Sequence, residues 1–329
     1  MSDLPDLVTG ATGFVGSHLV RALRKRGRTV RALVRPGTPS HHLAAMGVEV
    51  VPGDVTDADG YGAAAYGAGR VFHVAGFVAF LDEERKNLEA VNVGGVRNAI
   101  AAARAGGAEV LVVTSSVAAV GGGSSTAEVD ESHPWHGDES LNYAATKHQG
   151  EALALAAGKK GRMRVVCVNP SIVVGPDDPR PSSGGAYAIR AAKGLRVCAG
   201  MVQGFVDARD CAEGHILAAE KGKTGERYIL NGASVPMREF VSLCREEAGN
   251  PGLVITLPRL ALRPLGALTE WWADKRGVAP ALTREQARMA QRHAAFAATK
   301  AKVALGWKPR PLKDTVADTV SWFEDHGML

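Results

Sequence analysis

The chain of 329 residues is long enough for one large α/β domain, or for one such domain with a smaller lobe. Its 46% hydrophobic and 22% charged residues are ordinary for a soluble globular protein, and no apolar run reaches the ~18–20 residues of a membrane-spanning helix. The net charge of +5 lies in short patches without interleaved aromatic residues, which argues against nucleic-acid binding.

The four cysteines are far apart in the sequence and form no C-x-x-C pair. They therefore predict free thiols in a reducing compartment, and neither a disulfide framework nor a zinc site. No signal-peptide pattern precedes the first strand. A cytoplasmic enzyme without a metal site is expected.

A glycine-rich turn follows the first predicted strand, and an amphipathic helix follows the turn. Gly10 allows a tight turn, and Gly13 lets backbone N–H groups approach a diphosphate at the helix N-terminus. Gly16 lets the helix pack close to the strand. This strand–turn–helix context predicts dinucleotide binding.

Strands alternate with helices in the first half of the chain. The further predicted strands are 29–34, 48–51, 70–75, 110–114 and 164–168, and long helices cover 84–105 and a segment from about 140. This alternation predicts an α/β fold of the Rossmann type, a doubly wound parallel sheet with helices on both faces. Ligands of such sheets bind beyond the carboxyl ends of the strands.

The pattern becomes less regular after Pro170. A loop is predicted at 175–185, followed by a brief strand at 205–206, a helix over 207–221 and a strand at 227–230. The predicted organisation is a dinucleotide-binding domain over 1–170, to which 205–230 returns. A smaller, mostly C-terminal substrate-binding lobe comprises 171–204 and 231–329.

Tyr143 and Lys147 lie one helical turn apart and share a helix face. A nearby ammonium lowers the pKa of a phenol, and such a tyrosine can donate a proton to a carbonyl oxygen as hydride arrives. Ser116 follows the strand 110–114, where a hydroxyl can stabilise charge on the reacting oxygen. Ser115 is the alternative if the loop register differs by one residue.

The glycine turn, Ser116, Tyr143 and Lys147, in this order, make the chain resemble the short-chain dehydrogenase/reductase superfamily. Its length and its Gly-x-x-Gly-x-x-Gly spacing are similar to the extended branch, the NAD-dependent epimerase/dehydratase superfamily. Other similar segments are 54–57, 71–75, 92–93, 169–175, 205–210 and 305–309. Within that branch, 169–176 and 225–230 resemble dihydroflavonol 4-reductase-like and hopanoid-associated epimerase-like proteins.

The resemblance implies a role for each matching position. Ser116 would polarise the substrate oxygen, Tyr143 would be the acid/base, and Lys147 would bind the nicotinamide ribose and lower the pKa of the tyrosine. The implied cofactor contacts are Gly10, Thr12, Gly13, Phe14, Val15, Gly16, Arg35, Asp54, Val55, Val74, Ala75, Thr114, Tyr143, Lys147, Pro170 and Ile172. The resemblance also implies that Asn92 orders the central helix, and that a homodimer forms through helices near 84–105 and 140–157.

Cofactor choice depends on the end of the second predicted strand. NAD-preferring members place an acidic residue there to bind the ribose hydroxyls. This chain has Arg35, which can hold a 2′-phosphate bidentately. NADP(H) is therefore favoured and NAD(H) remains possible, because a second basic residue is not clearly matched and His41 and His42 occupy the neighbourhood.

The residues before 205–207 are largely apolar, whereas sugar-nucleotide epimerases often place basic or glutamine side chains there. A substrate pocket is predicted to include Ser115, Phe77, Tyr187, Met201 and Val202. Such a pocket favours a hydrophobic ketone or alcohol, although these residues could equally pack the lobe.

The predicted function is NADPH-dependent reduction of a hydrophobic ketone, or oxidation of the matching secondary alcohol. One alternative is a nucleotide-sugar epimerase or dehydratase with retained NAD. Another is a non-catalytic NAD(P)-sensing regulator, which the intact Ser116, Tyr143 and Lys147 argue against. Trp271 and Trp272 suggest lipid contact, but their helical spacing with Leu265 and Leu268 favours core or dimer packing.

Overall fold

The computed structural model describes residues 4–122, 127–136, 141–278, 280–291 and 295–329. Its strands are β1 (Asp6–Thr9), β2 (Val30–Val34), β3 (Glu49–Pro52), β4 (Arg70–His73), β5 (Val110–Thr114), β6 (Arg164–Pro170), β7 (Ile172–Val174), β8 (Val197–Ala199), β9 (Val202–Asp207), β10 (Glu226–Leu230), β11 (Ala233–Pro236) and β12 (Ile255–Leu257).

The helices alternate with these strands. They are α1 (Phe14–Lys25), α2 (His41–Ala45), α3 (Ala58–Ala65), α4 (Arg85–Leu88), α5 (Gly95–Ala105), α6 (Val117–Val120), α7 (Asn142–Gly158), α8 (Ser183–Ala192), α9 (Ala208–Lys221), α10 (Met237–Glu247), α11 (Arg259–Arg276), α12 (Arg284–Met289) and α13 (Leu312–Asp325). A 3₁₀ turn covers Asp82–Glu84, and π-helical segments cover Glu89–Gly94 and Ala301–Leu305.

Seven parallel strands form the main sheet in the order β10-β6-β5-β4-β1-β2-β3. Helices cover both faces, so the central strands are buried and apolar along their length. On one face Leu19 of α1 and Ile216 of α9 belong to the same core as Trp307. On the other face α3, α5 and α7 pack around Tyr61 and Ala99. The predicted Rossmann-type α/β fold is confirmed.

The predicted helix at 84–105 is interrupted in the structure. Between α4 and α5 the backbone widens into the π-helical segment Glu89–Gly94. Asn92, inside this segment, points inward and bonds both backbone groups of Phe77, each at 2.9 Å. Such π-turns commonly accompany functional sites, and this one fixes the loop after β4.

The lobe has two small sheets, with the orders β11-β9-β7 and β12-β8. Its core contains the stacked rings of Phe205 and Phe240, whose centroids are 4.2 Å apart. Within the segment 205–230, β9 belongs to a small sheet, α9 packs against β6 and β10 pairs with β6 in the main sheet. The predicted loop at 175–185 is shorter, because Ser182 caps the N-terminus of α8 through the Gly185 N–H.

The motif at 205–210 has a structural role in this chain. Asp207 caps α9 and pairs with Arg209, while Arg310 pairs with Asp210. The indole N–H of Trp307 donates to the carbonyl of Asp210. Through these contacts the segment 305–309, one of those that resemble the superfamily, packs against the first turn of α9.

The four cysteines are buried free thiols, as predicted. In the part of the chain that the structure describes, no helix is both long and apolar enough to cross a membrane. The sequence also predicts a Gly/Ser-rich loop at 121–126, of which residues 123–126 lie outside the described residues, as does the predicted helix start near Ser140. The helix α7 itself begins at Asn142.

Candidate active site

The glycine turn between β1 and α1 brings backbone against backbone. Gly10 has a φ of +70°, and a Cβ there would lie 2.8 Å from the Ala75 nitrogen. A Cβ on Gly16 would lie 2.1 Å from the Gly10 oxygen, so glycine is required for the helix to pack this closely. The N-terminus of α1 has no side-chain cap and no acidic residue in its first turn. Its free N–H groups fit an anion such as a cofactor diphosphate.

A cavity of about 1160 Å³ runs along the carboxyl edge of the main sheet, between the domain and the lobe. Every cofactor position predicted from the sequence lines it, from Gly10 at the turn to Ile172 after β6. Thr38, Gly53 and Arg180 also line it and were not anticipated. The cavity therefore extends from the glycine turn to the lobe.

The end of the cavity beside β2 and the glycine turn contains basic side chains. Arg35 is exposed immediately after β2, and Arg180 reaches the glycine turn by donating to the Thr12 carbonyl at 2.9 Å. Burial lowers the pKa of His42, and the nearby His41, Arg21 and Arg180 lower it further. Arg180, from a distant loop, is thus a second basic side chain on the cavity wall beside the glycine turn, which no sequence pattern indicated.

The carboxylate of Asp54 lies after β3 at the same end. It accepts hydrogen bonds from the backbone N–H and the hydroxyl of Thr56, at 2.8 and 2.7 Å. These bonds hold Asp54 beside Val55 on the cavity wall. Both positions are among the cofactor contacts that the resemblance implies.

Tyr143 and Lys147 project from the first turns of α7 into the cavity. The Lys147 ammonium donates to the Thr114 carbonyl at the end of β5, at 2.8 Å. Burial lowers the pKa of Lys147 to about 8, and the carboxylate of Glu151 opposes that shift. Thus Lys147 keeps most of its charge at neutral pH.

The expected lowering of the Tyr143 pKa is not found. Burial raises the pKa of Tyr143 above its ordinary value, and the Ser116 side chain opposes this only in part. The physical reason is that a phenolate loses hydration inside the protein. The phenol is therefore the stable form, which suits a proton donor.

Ser116 and Ser115 differ in their surroundings. The Ser116 hydroxyl caps α6 by accepting the Ala118 N–H at 3.2 Å, and it is the serine that acts on the Tyr143 pKa. Ser115 is buried, and its hydroxyl has no hydrogen-bond partner among the described residues. Both serines line the cavity, and this geometry favours Ser116 as the partner of Tyr143.

A buried polar network supports these residues from behind. Asn169 donates to the Ser116 carbonyl at 2.9 Å and to the Glu151 carboxylate. Arg227 donates to the other oxygen of Glu151 at 2.7 Å. Asn92 reaches Thr146 on α7 at 3.3 Å, which agrees with the ordering role implied for it. Sequence reasoning named Asn169 only as part of a similar segment.

Glu285 of α12 contacts α7, the helix that carries Tyr143 and Lys147, from the lobe. One carboxyl oxygen accepts the Tyr143 backbone N–H at 3.0 Å, in place of the missing side-chain cap of α7. The other oxygen is buried without a partner among the described residues. Burial raises the pKa of Glu285 to about 7. No local pattern in the sequence could have found this contact, because the two residues are far apart in the chain.

Four of the five predicted substrate residues line the cavity, and one does not. Ser115, Phe77, Tyr187 and Met201 line the cavity, whereas Val202 does not. Successive residues of a strand face opposite sides, so Met201, Gln203 and Phe205 point into the cavity and Val202 points away. Phe80 was not predicted, and its ring centroid lies 5.6 Å from that of Tyr143.

The fold and this cavity define an NAD(P)-dependent enzyme of the short-chain dehydrogenase/reductase superfamily. The sequence profile described as the NAD dependent epimerase/dehydratase family matches residues 7–231. The chain belongs to that family.

Three relatives are similar over most of their length. A Synechocystis sp. protein provisionally named a dihydroflavonol 4-reductase is 33% identical, over 98% of this chain and 95% of the relative. A Stigmatella aurantiaca protein named 4-hydroxy-2-methyl-3-oxo-4-farnesyl-3,4-dihydroquinoline-1-oxide ketoreductase is 32% identical, over 80% of this chain and 79% of the relative. The crystal structure of gox2253 is 35% identical, covers 99% of both chains and superimposes with a TM-score of 0.86.

Proposed function

We propose that this chain uses NADPH to reduce the ketone of a hydrophobic small molecule, or oxidises the matching secondary alcohol. One observation carries the proposal: Tyr143 and Ser116 face a cavity whose C-terminal wall is apolar. That wall includes Met237, Leu262, Leu265, Leu282, Met289 and Phe296. Among the described cavity residues after position 230, none is charged. A hydrophobic carbonyl compound fits this wall better than a charged one.

The side chains would divide the chemistry among themselves. The bound nicotinamide supplies the hydride. Tyr143 donates its proton to the carbonyl oxygen, while the Ser116 hydroxyl hydrogen-bonds the same oxygen and stabilises its developing charge. The Lys147 ammonium stabilises the phenolate that Tyr143 then becomes. Glu285 positions Tyr143 by accepting its backbone N–H, and Asn169 positions Ser116 by donating to its carbonyl.

The name of the Stigmatella aurantiaca relative supports a hydrophobic ketone, since it describes reduction of a farnesylated one. A second candidate, epimerisation or dehydration of a nucleotide-linked sugar with retained NAD, has support from the family description and from Arg190 and Gln203 on the cavity wall. Net oxidation of NADPH with a ketone distinguishes the first function. Tightly held NAD without net turnover of NADPH distinguishes the second.

The deciding experiment measures oxidation of NADPH against a panel of steroid, flavonoid, β-keto acid and quinone-like ketones. Tyr143→Phe should lower kcat on any active ketone by about 10²–10⁴-fold, because the proton donor is lost. Tyr66→Phe is the matched control, since Tyr66 is 77% exposed and does not line the cavity. Unchanged turnover in Tyr143→Phe would refute the proposed role.

Preference for NADPH is assigned to Arg35, with Arg180 beside the glycine turn. Arg35→Asp should reverse the preference, weakening NADPH by about 10–100-fold, because a charged hydrogen bond to the 2′-phosphate becomes a repulsion. Isothermal titration with each cofactor measures this directly. Arg162→Asp makes the same charge change at an exposed position away from the cavity and should leave the ratio unaltered. Equal affinities for both cofactors in the wild type would contradict the assignment.

A further inference from the structure

The outer face of α11 presents apolar side chains to solvent. Leu260 is 87% exposed, Leu268 58%, Trp271 52% and Trp272 47%. The sequence predicts core or dimer packing for the two tryptophans, and their exposure excludes only packing in the core of this chain. At about 100° per residue, Leu260, Pro264, Leu268 and the tryptophans follow one another along the same side of the helix.

The opposite face of the same helix borders the cavity. Leu262, Leu265 and Thr269 line the cavity, and Gly266 packs against α12. The helix is thus apolar on both sides, which is unusual for a surface helix of a globular protein. A single helix separates the exposed apolar strip from the predicted substrate pocket.

Basic side chains surround the strip. Lys275 lies 4.1 Å from the ring centroid of Trp271, and the Arg276 guanidinium lies 4.5 Å from that of Trp272. Along one flank, Arg263, Arg284 and Arg288 line a surface pocket of about 440 Å³ with Ala267. Arg284 is ion-paired with Glu270 at 3.0 Å, so Arg263 and Arg288 supply the excess positive charge of this pocket. Between 259 and 291 the chain has six basic and three acidic residues, and one of the acidic residues, Glu285, is buried.

We propose that this face of α11 docks on an anionic lipid bilayer. Indole rings and leucines would enter the boundary between headgroups and acyl chains, and the arginine-lined pocket would receive a lipid phosphate. Charge complementarity favours a bilayer over a second copy of this basic face. The dimer that the resemblance implies also uses other helices, near 84–105 and 140–157. Bilayer binding depends on this surface alone and is tested separately from the reductase, whereas its consequence for turnover rests on the proposed function.

Docking would give the enzyme direct access to lipophilic compounds. Such compounds are concentrated in the bilayer, and α11 is the element between the bilayer and the cavity. A substrate could then pass around this helix without crossing water. Vesicles should consequently raise turnover of a membrane-dissolved ketone more than that of a water-soluble one.

The test is co-sedimentation of the full-length enzyme, with NADPH, on vesicles of phosphatidylcholine with or without phosphatidylglycerol. The wild type should bind the anionic vesicles, and the double variant Leu260→Ser/Leu268→Ser should bind about tenfold or more weakly. Arg263→Gln should weaken binding to the anionic vesicles about fivefold, and added salt should weaken that of the wild type. Tyr66→Ser and Val303→Ser are matched controls, because these side chains are 77% and 80% exposed but lie elsewhere.

Insertion is measured by quenching of tryptophan fluorescence with brominated lipids. The quenching should disappear in Trp271→Phe/Trp272→Phe, which keeps Trp135, Trp307 and Trp322. Circular dichroism and NADPH titration verify that each variant is folded. The proposal is overturned if the wild type does not bind anionic vesicles, or if Leu260→Ser/Leu268→Ser binds them equally well. It is also overturned if that double variant only dissociates a homo-oligomer, which would make a second copy the occupant.

Discussion

The dinucleotide-binding domain and the lobe share one cavity but build their halves of it differently. In the domain, the critical contacts join backbone to backbone, as between Gly10 and Gly16. In the lobe, the cavity wall consists of side chains on short helices and two small sheets. Backbone contacts tolerate almost no change, whereas apolar side chains can be exchanged if volume is kept. We therefore expect the glycine turn to tolerate fewer substitutions than the cavity wall of the lobe.

A pair of glycine variants tests this contrast with the largest expected effect. Gly16→Ala places a Cβ 2.1 Å from the Gly10 oxygen, and only movement of the turn can relieve it. The free energy of unfolding should fall by about 3 kcal/mol or more, and cofactor binding should be lost. Gly266→Ala in the lobe places its Cβ 2.9 Å from the Ala287 Cβ, where a short helix can shift.

For Gly266→Ala we expect a cost of about 1–3 kcal/mol with cofactor binding retained. Urea unfolding and NADPH titration measure both quantities. Equal losses of cofactor affinity in the two variants would remove the distinction between the regions.

Glu285 joins the two regions and should make their stability depend on pH. Its folded pKa of about 7 is above its ordinary 4.5. The unfolded chain therefore releases this proton first, and the stabilisation present at low pH is lost as the pH rises from 4.5 through 7. The loss should be about 1–2 kcal/mol, reduced from the full shift by solvent screening.

Glu285→Gln should remove that part of the slope in thermal unfolding measured across this range. It keeps an acceptor for the Tyr143 N–H, so activity should largely persist. Glu239→Gln, at an exposed position of α10, is the control and should retain the wild-type slope. Identical slopes in Glu285→Gln and wild type would exclude the buried carboxyl as the cause.

The smallest expected effects are those of alanine substitutions at two glycines with free space around them, one in each region. Gly62 lies within α3 and Gly249 follows α10 with a φ of +65°, and neither would place a Cβ within 4 Å of another atom. Gly62→Ala should stabilise the fold by about 0.5–1 kcal/mol, and Gly249→Ala should cost about 1–2 kcal/mol. Chemical denaturation resolves both. A cost for Gly62→Ala would show that local helix propensity does not govern this position.

The sequence by itself determined the features that depend on neighbours in the chain. Alternating strands and helices predict the parallel sheet, because burial on both faces demands continuous apolar strands. The glycine spacing predicts the turn, and the four-residue spacing of Tyr143 and Lys147 places them on one helix face. Each is a local periodicity, which a single chain displays directly.

Only the tertiary structure decided the features that join distant segments. Arg180 reaches the glycine turn, and Glu285 caps the helix of Tyr143, although no spacing relates either pair. The orientation of β9 in the fold points Gln203 into the cavity and therefore points its neighbour Val202 away from it. The exposure of Trp271 and Trp272 likewise depends on which face of α11 meets the lobe, since both faces are apolar. Such contacts arise from packing, and packing is a property of the whole fold.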